Sequence, residues 1–430
     1  MRFPRFYLVR QNFPDRSLKD LPDRVRQELE RADLARRLPV GAKVAIAVGS
    51  RGIANIDLIV RETVQYFIRA GREPFIVPAM GSHGGASPEG QASVLTHYGI
   101  TEQSMGCPVV SQLEVCSPGV TPEGIQVWVD RVAYEAAGIL VINRVKWHTS
   151  FEGRIESGLF KMLAIGLGKL AGAQQYHAYA YRLGLEEVIL SVARFLLATG
   201  KVLGGVGIVE DERHQTAHVE VIPAENLELR EAALLQLAKS WMPRLPVPAV
   251  DVLIVDEIGK NISGTGMDTK IVNRSIDGAR NPWKGAPRVE RIFVRELSPL
   301  SYGNAVGIGM ADVVTDRLVA AIDWDATYVN SLAASTPAGA RLPLHFPTDR
   351  QCLERIATTV GKVDPSQVSY VWIRNTLSLE WVLVSDNAIP FLRATSNLPI
   401  NERPIEIGFG EGGDLPPLPE VAAAVQGETH

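Results

Sequence analysis

Cysteine is scarce in this chain. Only Cys107, Cys116 and Cys352 occur among 430 residues, with no CxxC pair and no even framework of the secreted kind, which excludes a disulfide scaffold and fits a reducing cytoplasm. No run of about 18 apolar residues is present, and the start MRFPRFYLVRQNF lacks an apolar stretch followed by small residues, so neither membrane spanning nor export is expected. A Lys/Arg cluster interleaved with aromatics is also missing. With a formal net charge of -4 and a pI near 6.1, the chain offers no electrostatic footprint for nucleic acid or an anionic membrane. The partner expected is a small molecule. There is no tandem short repeat and no low-complexity block.

What is present is an ordinary globular composition, 46% hydrophobic and 21% charged, sufficient for a large core without staples. At roughly 100–200 residues per domain this length predicts two domains. A charged helical stretch, SLKDLPDRVRQELERADLARRL, precedes KVAIAVGSRG, a β-rich apolar run closed by Gly and Ser that reads as a buried strand. The helix IDLIVRETVQYFIRAG follows, then the strand EPFIVPAMG, the polar loop SHGGASPEG and the helix QASVLTHYG. AAGILVINRVKWHTSF repeats strand and polar loop, and RIESGLFKMLAIGLGKLAGAQQYHAY reads as an interrupted helical region. Such alternation predicts an α/β fold with a Rossmann-like parallel sheet covered on both faces.

The prolines of SWMPRLPVPAVD break the helix EAALLQLAKSW before a new strand, DVLIVDEIG. They place the boundary near Pro246, with an N-terminal α/β domain over 1–245 and a C-terminal α/β domain over 246–430. In the second, VERIFVREL, VSYVWIR and EWVLVSD read as strands, MADVVTDRLVAAI as helix-like and the tail DLPPLPEVAAAVQGETH as loosely ordered. The active site is expected in the cleft between the domains.

Ligands of open α/β sheets bind beyond the carboxyl ends of the strands, where SRG, SHGG and KWHTSF all fall. Among eight histidines, His83, His148 and His177 lie in or near such polar segments. A lone histidine is more often structural, and His97, His214, His218, His345 and His430 are left there. Three in one domain instead suggest general acid/base groups or neutral metal ligands. Arg51 could grip a carboxylate or phosphate beside loop N–H groups, its plain alternative being a surface ion pair. Lys161, in the apolar stretch SGLFKML, would be partly desolvated and so inclined to nucleophilic use, although snorkelling is the simpler reading for a lysine alone. Lys260 ends the strand DVLIVDEIG, where it offers either a cation to the cleft or a solvated loop residue. GSHGG and GLGK satisfy neither GxxxxGK[ST] nor GxGxxG, so they do not indicate NAD.

Taken in order, GSRGIAN, PAMGSHGGASPEGQ, INRVKWHTSFEGRIESGLFKMLAIGLGK and the downstream His177 resemble the nickel-dependent lactate racemase family of 2-hydroxyacid racemases and epimerases. The resemblance covers most of residues 40–180 and, more loosely, EIGKNISGTGMD; Arg51 precedes His83 by 32 residues and Lys161 precedes His177 by 16. It implies a nickel-pincer nucleotide, a pyridinium-3,5-bisthiocarboxylic acid mononucleotide carrying nickel, covalently linked through Lys161 and made by separate cofactor-biosynthesis proteins. His177 would ligate the nickel, while Ser50, Gly84 and Gly85 would contact the cofactor. His83 and His148 would be the acid/base pair on opposite faces of the substrate, and Arg51 and Lys260 would handle the substrate or its developing charge. The implied reaction inverts C2 through transient hydride transfer and a 2-keto acid. The sequence departs from the family prototype in reading Ala47-Val48-Gly49-Ser50 ahead of Arg51, where the prototype has an Asp.

Two other readings are kept. A metal-dependent hydrolase would use His83, His148 and His177 as ligands but leaves Lys161 without a role. A non-catalytic hydroxyacid or nucleotide binder has no need of Lys161 with both histidines. Which 2-hydroxy acid is the substrate stays open, as does whether the chain forms a homo-oligomer.

Overall fold

The structure is a computed structural model describing all residues except 1, 50, 51, 82, 397 and 428–430. The chain divides into two compact units, Pro14–Met242 and a second made of Met1–Phe13 with Pro243–His430. The proline-marked boundary predicts a first domain over 1–245. The strand β1 (Phe6–Arg10) instead joins the second unit, because it pairs antiparallel with a strand near the far end of the chain. Pairing partners distant in sequence leave no local signal.

Within unit 14–242 the strands are β2 (Lys43–Val48), β3 (Glu73–Pro78), β4 (Val115–Val120), β5 (Gln126–Asp130), β6 (Gly138–Arg144), β7 (Val202–Glu210) and β8 (Thr216–Pro223). Five form one sheet in the order β3-β2-β6-β7-β8, parallel except for the edge strand β8, and β4 and β5 make a separate ribbon. Alternate residues feed two cores. Ala45, Ala47, Val77 and Val141 face one, and Val44, Ile46, Leu140 and Ile142 the other. A sheet buried on both faces must be apolar at nearly every position, which is why these strands read as continuous runs.

The helix Ile56–Arg69 shows how the covering layer forms. Ile56, Ile59, Val60, Thr63, Val64 and Phe67 recur at helical spacing and all are buried. Burying each large apolar side chain contributes about 1.5–3 kcal/mol.

The order β3-β2-β6-β7-β8 counts as 2-1-3-4-5 within the unit, the doubly wound pattern whose connections diverge between its first and third strands. Those are β2 and β6. The crevice at their carboxyl ends is therefore where this topology opens a binding site.

The second unit carries β9 (Ala249–Ile258), β10 (Arg288–Leu297), β11 (Val313–Thr315), β12 (Leu344–Phe346), β13 (Tyr370–Asn375) and β14 (Ser378–Ser385). Its seven-stranded sheet runs β1-β14-β13-β9-β10-β11-β12, with β13 through β12 mutually parallel and a β13–β14 hairpin leading to β1. Two local expectations fail here. MADVVTDRLVAAI contains the strand β11 ahead of a short helix, since its β-branched Val-Val-Thr pairs beside β10. The tail forms the helix Leu418–Gly427, with Leu418 and Ala422 buried, because their apolar side has a core to cover.

Both units are α/β with parallel sheets, as the alternating pattern predicts. Among the described residues no helix is long and apolar enough to cross a membrane. All three cysteines are free, and burial pushes the thiols of Cys107 and Cys352 up to about 11 and about 12.

Candidate active site

Three successive loops leave the carboxyl ends of β3, β2 and β6. The middle loop carries Ser50 and Arg51, which lie outside the described residues. It is anchored on either side of them: Gly49 N–H donates to Ile142 O at 3.2 Å, and Gly52 N–H donates to the Tyr98 hydroxyl at 2.8 Å. Arg144 at the end of β6 also donates to Gly52 O at 3.0 Å and pairs with Glu210.

The β3 loop places half-buried His83, whose N–H donates to Met80 O at 3.1 Å. Beneath it lies fully buried Gln91, whose amide donates to Gly81 O (2.9 Å) and His83 O (3.3 Å). Lys169 in turn holds Gln91 Oε1 (3.5 Å), Pro78 O (2.6 Å) and the Asp130 carboxylate (3.0 Å). Lys169 and Asp130 are wholly buried. Burial pulls the Lys169 amine down and Asp130 pulls it back. This lysine is a bolt between the β3 end and the β5 end, and it is closed to solvent chemistry.

Gly84 and Gly85, expected at the cofactor, both have positive φ, +64° and +65°. A Cβ on Gly84 would meet the Gly90 carbonyl oxygen at 2.8 Å, so Gly84 serves the turn into the helix Pro88–His97, whereas Gly85 faces open space.

The β6 loop is closed by reciprocal backbone bonds between Lys146 and Ser157 (2.8 and 3.1 Å). Buried Glu156 fills it, accepting from His148 N–H (2.6 Å) and Gly153 N–H (3.2 Å) and pairing with Lys239 at 2.5 Å. His148 stacks on Phe151 with ring centroids 4.5 Å apart and planes 29° apart. Its Nδ1 accepts the Ser150 backbone N–H at 3.0 Å, and its Nε2 lies 3.0 Å from Lys161 Nζ.

Lys161 ends a single helical turn, Leu159–Lys161, which passes into a π turn over Met162–Gly166. Single π turns gather at functional sites because they re-aim a side chain within a helix. The turn begins on the buried carboxyl of Glu231, which accepts Phe160 N–H at 2.9 Å. A Cβ at Gly158 would lie 2.2 Å from Glu231 Oε1, so only glycine admits that carboxyl. With no cation paired to it among the described residues, burial pushes Glu231 up to about 8 despite its bonds to Phe160 and Leu159.

A second helix, Lys169–Leu183, starts after the break at Lys169 (φ 53°) and carries His177. Burial, and then the Lys161 amine when charged, lower the His177 pKa. Its imidazole is thus neutral near pH 7 and able to offer a lone pair.

The structure therefore brings His148 and Lys161 into contact, sets His177 within electrostatic reach of Lys161 and puts His83 on the loop two strands from that of His148. Lys260 belongs to the other unit, where its Nζ donates to Gly264 O and Asn330 Oδ1, both at 2.8 Å. Among the described residues no three His, Cys, Asp or Glu side chains are grouped to hold a metal ion. The three-histidine ligand set of the hydrolase reading is not assembled.

Sequence reasoning missed Glu156, Lys239, Gln91, Asp130 and Glu231. Only Glu231 has a readable signal: it occupies the buried stripe Leu227, Glu231, Leu234, Leu235, Ala238 of the helix Leu227–Trp241, where an acid is out of place.

No family model matches the sequence, and no curated protein does. Among solved structures the chain is similar to the lactate racemase apoprotein from Thermoanaerobacterium thermosaccharolyticum, at 13% identity and a TM-score of 0.49, over 87% of this chain and 99% of that one.

Proposed function

We propose that this chain is a racemase or epimerase acting at C2 of a 2-hydroxy acid, with Lys161 as the covalent anchor of a nickel-pincer nucleotide and His177 as its protein ligand to nickel. The observation that carries the reading is the 3.0 Å approach of His148 Nε2 to Lys161 Nζ, beside a histidine kept neutral by burial. The donor set fits such a group, because a metal held mainly by its own organic ligand asks one imidazole of the protein rather than three. When bound, the group supplies reversible acceptance of hydride from C2.

The remaining work falls to this chain. His83 and His148, on loops from β3 and β6, exchange a proton with the substrate hydroxyl, one as base while the other is acid in the reverse sense. Arg51 and Lys260 supply cations for the substrate carboxylate or its developing charge. Glu156 holds the His148 backbone, and the Lys169–Gln91 bolt holds that of His83. Lactate, malate, larger 2-hydroxy acids and sugar acids are the candidate substrates.

The test is peptide mapping with metal analysis of protein produced alongside the cofactor-making enzymes. About one nickel and one nucleotide-derived adduct on Lys161 are expected, and His177→Ala should lose nickel while staying folded. Fully active protein without that adduct refutes the assignment.

A further inference from the structure

One helix reaches both halves of the His148–Lys161 contact. Along Leu227–Trp241, Glu231 and Lys239 stand eight residues apart, about 12 Å of helix axis, and a step of that length returns a side chain to roughly the same side. Glu231 meets the Lys161 turn, its Oε2 accepting the Phe160 N–H at 2.9 Å. Lys239 meets the His148 loop: its Nζ lies 2.5 Å from Glu156 Oε1, and Glu156 Oε2 accepts the His148 N–H at 2.6 Å. Glu228 of the same helix pairs with Arg154 of that loop as well.

Glycines seat this helix. The strand β7 reads VLGGVGIVE and is buried throughout, and Gly205 and Gly207 share one of its faces because strand side chains alternate. A Cβ at Gly207 would lie 2.6 Å from Leu234 Cδ1, and one at Gly205 would lie 2.9 Å from Leu159 Cδ1. The helix, through Leu234, and the Lys161 turn, through Leu159, therefore settle on a single surface, closer than a methyl group would allow. Glycine weakens a strand interior, and such close approach is what it gives in return. In a close-packed core a displacement of the helix is passed on to what it touches.

We propose that the helix Leu227–Trp241, seated on the glycine face of β7, sets the spacing between His148 and Lys161, with Glu231 and Lys239 as its two positioning residues. Glu231 acts through the turn that carries Lys161, and Lys239 acts through Glu156 on the loop that carries His148. Other contacts of His148 and Lys161 add to this hold without releasing either group from the helix. What the spacing serves in catalysis rests on the function proposed above; the spacing itself does not.

In the cofactor-free chain ¹⁵N spectra read the contact. Lys161→Met should shift the His148 ring resonances, because Nε2 lies 3.0 Å from Nζ. Hydrogen bonds weaken steeply with distance and angle, so the same replacement made on top of Lys239→Met or Glu231→Leu should produce about half that shift or less. Lys239→Arg keeps a cation on Glu156 and should keep the full shift. Gly207→Val displaces Leu234 without altering a charge and should act as Lys239→Met does. Ile59→Val loosens the core on the other face of the sheet and should leave the shift whole. No shift in the unaltered background overturns the proposal, as does an undiminished shift in folded Lys239→Met and Glu231→Leu, or an equal loss in Ile59→Val. An undiminished shift in Gly207→Val alone overturns the part given to β7. Should Glu231→Leu fail to fold, Lys239→Met decides, since the Lys239 side chain is 24% exposed. A diminished shift in a chain that never acquires a nucleotide adduct on Lys161 would sink the proposed function and leave the positioning helix standing.

Discussion

The two units place polar residues at similar positions, toward the carboxyl ends of parallel strands, and use them in opposite ways. In the second unit Asp256 near the end of β9 and Arg295 near the end of β10 bond at 2.6 Å, and Arg295 also reaches Asp349 at 3.0 Å. Trp372 N–H, Leu415 O and the Leu418 N–H complete the set, and Arg317 ties Asp349 to Asp414. Asp256, Arg295 and Asp349 are buried, and the segment entering the final helix lies over them. Nothing there is left to act on a ligand. In the unit 14–242, by contrast, Glu156 and Glu231 accept backbone N–H groups of the β6 loop and the Lys161 turn, and the buried Lys169–Asp130 pair lies beneath, while His83, His148, Lys161 and His177 stay half-buried. A buried cluster closed on itself makes structure; half-buried groups fastened from below make a candidate site.

The largest expected effect breaks the site side of this comparison. Replacing His83 or His148 by Asn should lower racemisation of the preferred 2-hydroxy acid by on the order of 10²–10⁴-fold, the weight of one positioned acid/base group. Because the equilibrium between enantiomers is fixed, kcat/KM must fall equally in both directions, which chiral chromatography can check. Unfolding midpoints should hardly move, since both residues sit in loops over intact cores. Rates within threefold of the unaltered enzyme in both variants would end the two-histidine reading.

Arg295→Met breaks the other side. It strips the cation from Asp256 and leaves Asp349 with Arg317 alone, and removing one partner of a buried ion pair typically costs 3–5 kcal/mol. Hydrogen exchange at β9 and β10 amides should report a loss of about that size. A loss under about 1 kcal/mol would mean that the cluster is a surface-like network of small worth.

How much of this was legible in the sequence depends on whether a residue's role is local. The strands β2, β3, β6, β9 and β10 declare themselves, because each is buried along most of its length and so reads as an apolar run. Their order comes from pairing between segments distant in sequence, and the membership of β1 in the second unit from its pairing with β14 near the far end of the chain. His148 and Lys161 stand out as polar or charged groups in unusual neighbourhoods. Lys169 carries no local signal, because its burial against Asp130 and Gln91 depends on three segments meeting. Glu156 looks like any loop acid until the loop is folded around it.

Glu231 sharpens the comparison most finely, because it is a buried acid with no cation paired to it among the described residues. Its Oε2 accepts the Phe160 N–H, its Oε1 has no hydrogen-bond partner among the described residues, and burial raises its pKa from 4.5 to about 8. The sign follows from proton counting. Below about pH 4.5 the group is protonated both folded and unfolded and contributes no slope. Between 4.5 and about 8 the folded chain holds a proton the unfolded chain has released, so stability falls as pH rises, by at most about 1.4 kcal/mol per pH unit from this one group. Above about 8 both states are ionised and the slope ends. Glu231→Gln keeps an acceptor for Phe160 N–H but cannot ionise, so its stability relative to the unaltered chain should climb from pH 5 to 8 and then level off. Urea unfolding of the two proteins across pH 5 to 9, read at amides of the helix Leu227–Trp241, measures the difference directly. A difference that stays flat across that range would mean Glu231 is already ionised in the folded chain at pH 5, stabilised by the N–H groups at the start of the Lys161 turn more strongly than burial opposes it, and the turn would then carry a fixed negative charge at its foot.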